Sequence, residues 1–90
     1  MKLVLVFSTT HNALAAEAAL SSRAIALEVL PTPREISVSC GISIQFDPLD
    51  LPRIIELAEA QDIKILGVYK SLPDAVSGKR EYTRIWGEMQ

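Results

Sequence analysis

The chain contains a single cysteine, Cys40, and a single histidine, His11. Cys40 stands between Ser39 and Gly41, so its neighbours in the chain are small. A cysteine reacts as its thiolate, which is favoured by a helix N-terminus, a nearby arginine or a histidine. A sulfur in such surroundings is suited to accepting a transferable group and passing that group to another molecule. A hydrolase fits less well, because no third residue is evident that would orient His11 as a base.

Further residues supply hydrogen bonds and positive charge. Two threonines precede an alanine-rich segment and can cap a helix, whose N-terminus carries roughly half a positive charge. An arginine lies in the string Pro-Thr-Pro-Arg-Glu ahead of the cysteine. We therefore expect a site in which Cys40 is the reacting residue and the surrounding residues are Arg34, His11, Thr9, Thr10, Ser39 and Gly41.

Composition excludes several other kinds of site. Of the 90 residues, 9 are Lys or Arg and 11 are Asp or Glu, giving a net charge of −2, whereas nucleic-acid-binding proteins usually carry a basic surplus. One cysteine forms no internal disulfide, and one cysteine with one histidine cannot supply the four ligands of a structural zinc ion. No stretch approaches the ~20 apolar residues of a membrane helix. We expect a cytoplasmic protein with no metal, cofactor, nucleic-acid or membrane partner.

The elements that must position these residues follow from the hydrophobic pattern. Apolar runs and alternation predict strands, and apolar residues at helical spacing predict helices. In chain order these are a strand at 2–7, a helix at 11–23, strands at 25–30 and 42–46, a helix at 51–61 and a strand at 63–69. The order βαββαβ is typical of an α+β, ferredoxin-like domain at residues 1–69, with an antiparallel sheet in the order 4-1-3-2 and both helices on one face.

The connection at residues 31–41 is long for two neighbouring strands. Its prolines predict that 31–33 lie outside the sheet, and Thr32–Glu35 has the form of a capping box that opens a short helical turn. In the predicted topology this connection meets the first strand–helix turn at one end of the sheet. His11 would therefore approach Arg34 and Cys40.

Residues 70–90 are predicted to extend this domain. Ser71–Gly78 has the composition of a linker. Beyond it, four apolar residues at the spacing i, i+3, i+4, i+7 predict an amphipathic C-terminal helix. These residues are Tyr82, Ile85, Trp86 and Met89. The helix either packs on its own domain or binds a partner.

The sheet face turned away from the helices is predicted to be partly apolar. Val4 and Val6 of the first strand would lie there beside Leu66 and Val68 of the last strand. Contiguous apolar patches usually mark a contact surface. We expect a homodimer in which this face and the C-terminal segment both contribute.

Three motifs of the chain resemble a family of small bacterial proteins catalogued as domain of unknown function 3343, the selenium/sulfur carrier protein-like family. The motifs are Thr9–His11, Pro31–Glu35 and Ser39–Gly41. The resemblance covers about residues 2–69. It implies that Cys40 holds a persulfide or selenopersulfide, received from a desulfurase-like donor protein and passed to an acceptor protein. The residues that would bind this substrate are then Arg34, His11, Thr9, Thr10, Ser39 and Gly41.

Other interpretations stay open from the sequence. Ferredoxin-like domains host many functions, and a non-catalytic module would use Arg34 and the helix N-terminus to bind a small anion or a protein. In that case Cys40 is a small apolar residue. A third interpretation is a structural subunit that acts through its sheet face and tail. A carrier or binding protein is favoured over a stand-alone enzyme.

Overall fold

The computed structural model describes residues 2–34, 36, 41–73 and 80–87. A 3₁₀ turn at Pro48–Asp50 leads into the second of two α-helices. In chain order the main elements are β1 (Lys2–Phe7), α1 (Thr10–Ser22), β2 (Leu27–Pro31), β3 (Ile42–Phe46), α2 (Leu51–Ala60), β4 (Ile65–Pro73) and β5 (Arg80–Gly87). Neither of these helices is long and apolar enough to cross a membrane.

The strands form one antiparallel sheet in the order β2-β3-β1-β4-β5. Read from the other edge, β4-β1-β3-β2 follow one another as in the predicted order, with β5 added outside β4. The fold is therefore α+β with a five-stranded antiparallel sheet and two helices, instead of the predicted four-stranded sheet. β1 is the central strand, which explains why residues 3–7 are apolar on both faces and fully buried.

The core lies between the helices and one face of the sheet. Leu3, Leu5 and Phe7, at alternate positions of β1, share one buried cluster with both helices. The helix residues of this cluster are Ala13, Ala16, Ala19, Leu20, Ile54, Leu57 and Ala58. Burying a large apolar side chain contributes roughly 1.5–3 kcal/mol. This layer therefore holds α1, and with it the helix N-terminus, in a fixed position on the sheet.

Both helices end in the same way, which reflects the similarity of the two halves of the chain. Ala24 and Asp62 follow the last residues of the helices with φ of 58° and 55°, in the left-handed region. The next amide donates back to the helix in each case, Ile25 to the Leu20 carbonyl at 3.1 Å and Ile63 to the Ala58 carbonyl at 2.9 Å. These are Schellman motifs without the usual glycine.

The predicted C-terminal helix is wrong, because residues 80–87 form the strand β5. Without it the outer edge of β4 would present unpaired backbone N–H and C=O groups. The ladder shifts register between Val68 and Tyr69, where Trp86 pairs with Val68 and Arg84 with Tyr69. A bulge of this kind breaks strict alternation, so the apolar spacing of β5 imitates that of a helix.

The predicted boundaries of the C-terminal segment also change. β4 runs on to Pro73, so the start of the predicted linker is a strand, and residues 74–79 lie outside the described part of the chain. Met89, the last residue of the predicted helical stripe, lies outside it as well.

The predicted apolar patch on the far face of the sheet is also wrong. Val68 pairs with Leu5 and joins the core on the helix side. A register shift between Val6 and Phe7 pairs Phe7 with Ile65, so Ile65 and Val68 both belong to the core although three positions separate them. Tyr69 and Gly67 pair with Val4 and Val6 instead. Val4 and Val6 are at most 1% exposed, so they offer no open surface. The prediction of a homodimer was based on this patch and on the C-terminal helix, and neither is present in the described residues.

β2 also departs from its predicted limits. It begins at Leu27 and includes Pro31, which pairs with Ile42, although the prolines were expected outside the sheet. An edge strand tolerates proline because its outward N–H has no partner strand to bind. Val29 and Leu27 face the helices and Glu28 faces the other side, where the Gln45 amide donates to its carboxylate at 3.1 Å.

Candidate functional site

The turn between β1 and α1 is shaped by a threonine cap. Thr9 has an extended backbone, and its Oγ1 accepts hydrogen bonds from the Asn12 backbone N–H and from Asn12 Nδ2, both at 3.1 Å. This interaction satisfies one of the free amides at the helix start. Thr9, predicted to bind substrate, is thus engaged in capping α1.

Thr10, the first residue of α1, links the helix to the loop between β2 and β3. Its Oγ1 accepts a hydrogen bond from the Gly41 N–H at 3.3 Å. The first strand–helix turn and the β2–β3 loop therefore meet at one end of the sheet. This end of the molecule, where α1 begins and β3 starts at Ile42, is called the site end below.

The base of the β2–β3 loop is closed by backbone and side-chain hydrogen bonds. The Thr32 N–H donates to the Gly41 carbonyl at 3.3 Å and so continues the β2–β3 ladder by one residue. The hydroxyls of Thr32 and Ser43 lie 2.6 Å apart on the face away from the helices, where Ser43 is fully buried. The β2–β3 connection is thus closed at its base, where Thr32 and Gly41 are joined by a hydrogen bond.

Part of the predicted helical turn in this loop is present. The Ile36 N–H donates to the Pro33 carbonyl at 3.0 Å, and Arg34 lies inside that turn. Thr32 was predicted to cap this turn with its hydroxyl, but the hydroxyl contacts Ser43 instead. Glu35, the other half of the predicted capping box, lies outside the described residues.

The two charged or titratable candidates, Arg34 and His11, are both exposed. In the part of the chain that the structure describes, neither side chain has a hydrogen bond or an ion pair. The first turn of α1 carries no acidic residue, so the positive end of the helix is not neutralised there. Ser39 and Cys40 lie outside the described residues, and their place in the site stays a prediction.

Gly41 is not required by its backbone conformation, since its φ is outside the left-handed region. A Cβ at this position would lie 3.8 Å from Thr10 Oγ1, an ordinary van der Waals distance. The backbone at Gly41 therefore does not need the conformational freedom that only glycine has.

A separate concavity lies at the opposite end of the helices. It has a volume of about 200 Å³ and is lined by Arg23, Ile25, Arg53, Glu56, Leu57 and Ala60. α1 is about 20 Å long, so this cavity is remote from Thr10. Its arginines have no recognisable spacing in the sequence, because Arg23 caps the end of α1 and Arg53 lies in α2, and only the tertiary fold brings them together. No cluster of three metal-ligating residues occurs among the described positions.

The described residues define a small α+β domain in which Gly41, the residue that follows the only cysteine in the sequence, is hydrogen-bonded to the first residue of α1. The chain belongs to the family described as "Putative Se/S carrier protein-like", whose profile matches residues 2–70. The match spans β1 to β4 as far as Lys70 and leaves β5 outside. No curated protein and no solved structure matches the chain.

Proposed function

We propose that this protein carries sulfur or selenium on Cys40 between a donor protein and an acceptor protein. The observation that carries the proposal is membership of the carrier family over a region that includes Cys40, the only cysteine of the chain. The contact between Thr10 and Gly41 supports it, because Gly41 directly follows Cys40 in the chain. A carrier that works through a free thiol belongs in a reducing compartment such as the cytoplasm.

The chemistry is thiol exchange and needs no external oxidant. The Cys40 thiolate attacks the terminal sulfur of a donor persulfide. A new S–S bond forms on Cys40, the donor S–S bond breaks, and the donor cysteine leaves as its thiolate. With a selenopersulfide donor the attacked atom is selenium, and an S–Se bond replaces the S–S bond. Transfer to the acceptor repeats the same step with the acceptor thiolate as nucleophile.

The surroundings of the loop favour the reactive form of the sulfur. The N-terminus of α1 supplies partial positive charge without an acidic residue in its first turn. Arg34 and His11 are exposed and so are accessible to an anionic sulfur or to an incoming anionic group. A positive environment stabilises a thiolate and the partly anionic transition state of exchange. Thr9 and Thr10 contribute by holding the helix start and the loop rather than by contacting the cargo.

The test is sulfur loading followed by intact mass. The protein is incubated with a cysteine desulfurase and cysteine, separated from them and weighed. We expect one added sulfur, about 32 Da, that a thiol reductant removes. Cys40→Ser is the matched control, because it replaces the nucleophilic sulfur by an oxygen and hardly changes the size of the side chain. This variant should gain no mass. An unmodified wild-type protein, or equal gain in Cys40→Ser, would contradict the proposal. A selenium donor in the same assay compares the two cargoes.

The alternative is a module that binds a small anion at Arg34 and the α1 N-terminus, with Cys40 incidental. The exposed Arg34 and the absence of an acidic residue in the first turn of α1 favour an anion-binding module as much as they favour a carrier. Titration of Cys40→Ser with inorganic phosphate, followed by backbone amide shifts, separates the two. Binding by this variant at the first turn of α1, together with failure of sulfur loading by the wild type, would support the anion module.

A further inference from the structure

We propose that Thr10 is a positioning residue whose hydroxyl holds the peptide following Cys40 against the first turn of α1. The inference rests on the proposed function, since it assigns Thr10 a role toward the same cysteine. It is carried by the hydrogen bond from the Gly41 N–H to Thr10 Oγ1, which joins residues 31 positions apart in the chain. Thr10 was predicted to bind substrate, and this role differs from that prediction.

Gly41 is held by both of its backbone polar groups. Its carbonyl accepts from the Thr32 N–H at the end of β2, and its N–H donates to Thr10 at the start of α1. Gly41, which directly follows Cys40 in the sequence, is therefore tied to both β2 and α1. The bond to Thr32 continues the β2–β3 ladder, whereas the bond to Thr10 links Gly41 to the N-terminus of α1.

The neighbouring residues do not duplicate this role. The Thr9 hydroxyl is occupied by Asn12, and the His11 side chain forms no hydrogen bond in the described part of the chain. The side chain of Thr10 is exposed and lies outside the buried cluster. Loss of its hydroxyl should therefore leave the core intact and change the relation between the loop and the helix.

The experiment compares Thr10→Val, which keeps the shape and removes the acceptor, with Thr10→Ser, which keeps the hydroxyl. Thr83→Val is the matched control, because Thr83 is exposed on β5. Two quantities are measured: hydrogen exchange of the Gly41 amide, and the rate constant for alkylation of Cys40 at neutral pH. In Thr10→Val we expect exchange to be faster and alkylation slower, each by about two- to tenfold, as loss of one hydrogen bond implies. Thr10→Ser and Thr83→Val should resemble the wild type.

Urea unfolding of all variants checks that they are equally folded. An unchanged Gly41 exchange rate in Thr10→Val would overturn the inference, and so would faster exchange with an unchanged alkylation rate. The proposed function fails differently: a wild-type Cys40 that is no more reactive than free cysteine counts against it. The exchange of the Gly41 amide then still decides whether Thr10 holds the loop.

Discussion

At the scale of single residues, the site end is organised by hydroxyl groups whose partners differ. Each threonine hydroxyl has a different partner: Thr9 caps α1 through Asn12, Thr10 binds Gly41 and Thr32 contacts Ser43. The side chains of Arg34 and His11 are exposed. The threonine hydroxyls therefore hold the described segments of the site end together, whereas Arg34 and His11 remain accessible to solvent.

Arg34 is expected to act on Cys40 through its charge. Arg34→Ala should slow alkylation or sulfur loading of Cys40 by about two- to fivefold, the size of effect that an exposed charge pair produces. Because the residue is exposed, the free energy of unfolding should change by less than about 0.5 kcal/mol. The slowing should shrink as salt is added, since exposed charges are screened.

Arg53→Ala is the matched control, because it removes the same charge from an exposed side chain in α2 that pairs with Asp50. It should leave the chemistry of Cys40 unchanged. Equal slowing in both variants would mean that Arg34 acts only through net charge. Unfolding of Arg34→Ala would show that the residue is structural.

The sequence predicted which segments meet at the site end, because the order of strands and helices decides this, but it did not predict the individual side-chain contacts. The meeting of Thr10 with the loop followed from the order of strands and helices alone. The contact of Thr32 with Ser43 was missed, because it depends on the β2–β3 register and crosses diagonally between the strands. A capping box was the wrong explanation for a hydroxyl that faces a neighbouring strand.

At the scale of elements, the strained end of α1 offers a direct test of helix termination. Ala24 has a φ of 58°, which costs an L-residue roughly 1–2 kcal/mol. Ala24→Gly removes that strain but adds freedom to the unfolded chain. We expect a net rise of roughly 0.5–1 kcal/mol in the free energy of unfolding, measured with urea.

Ala18→Gly is the control for this prediction, because Ala18 is exposed within the same helix. There the substitution should lower stability by about 1 kcal/mol. Opposite signs for the two variants are the expected result. A loss of stability in both would mean that Ala24 is not strained.

The elements were predicted well where the hydrophobic pattern is regular and poorly where the ladder is bulged. The two helices and the first four strands follow from apolar spacing and alternation. β5 was missed because a bulge near Trp86 shifts its apolar positions. A second bulge breaks the alternation between Ile65 and Val68, so both face the helices and the predicted patch is absent. Bulges depend on pairing with a partner strand, so they leave no local signal in the sequence.

At the scale of the whole molecule, β5 changes which surfaces are available to partners. It covers the edge of β4 and lies beyond the region matched by the family. In the described residues the new edge carries charged positions such as Glu81 and Arg84, and the opposite edge carries Pro31. Charge and proline both discourage further strand pairing.

At the scale of the whole molecule, the proposed function requires the Cys40 thiol to lie near the positive N-terminus of α1. The pH dependence of Cys40 alkylation tests this claim most directly, because it needs no donor or acceptor protein. The rate constant should rise with pH through the pKa of the thiol and then level off. We expect that pKa to lie below the ~8.5 of an unperturbed cysteine. A pKa at or above that value would contradict an activated Cys40 and the carrier role built on it.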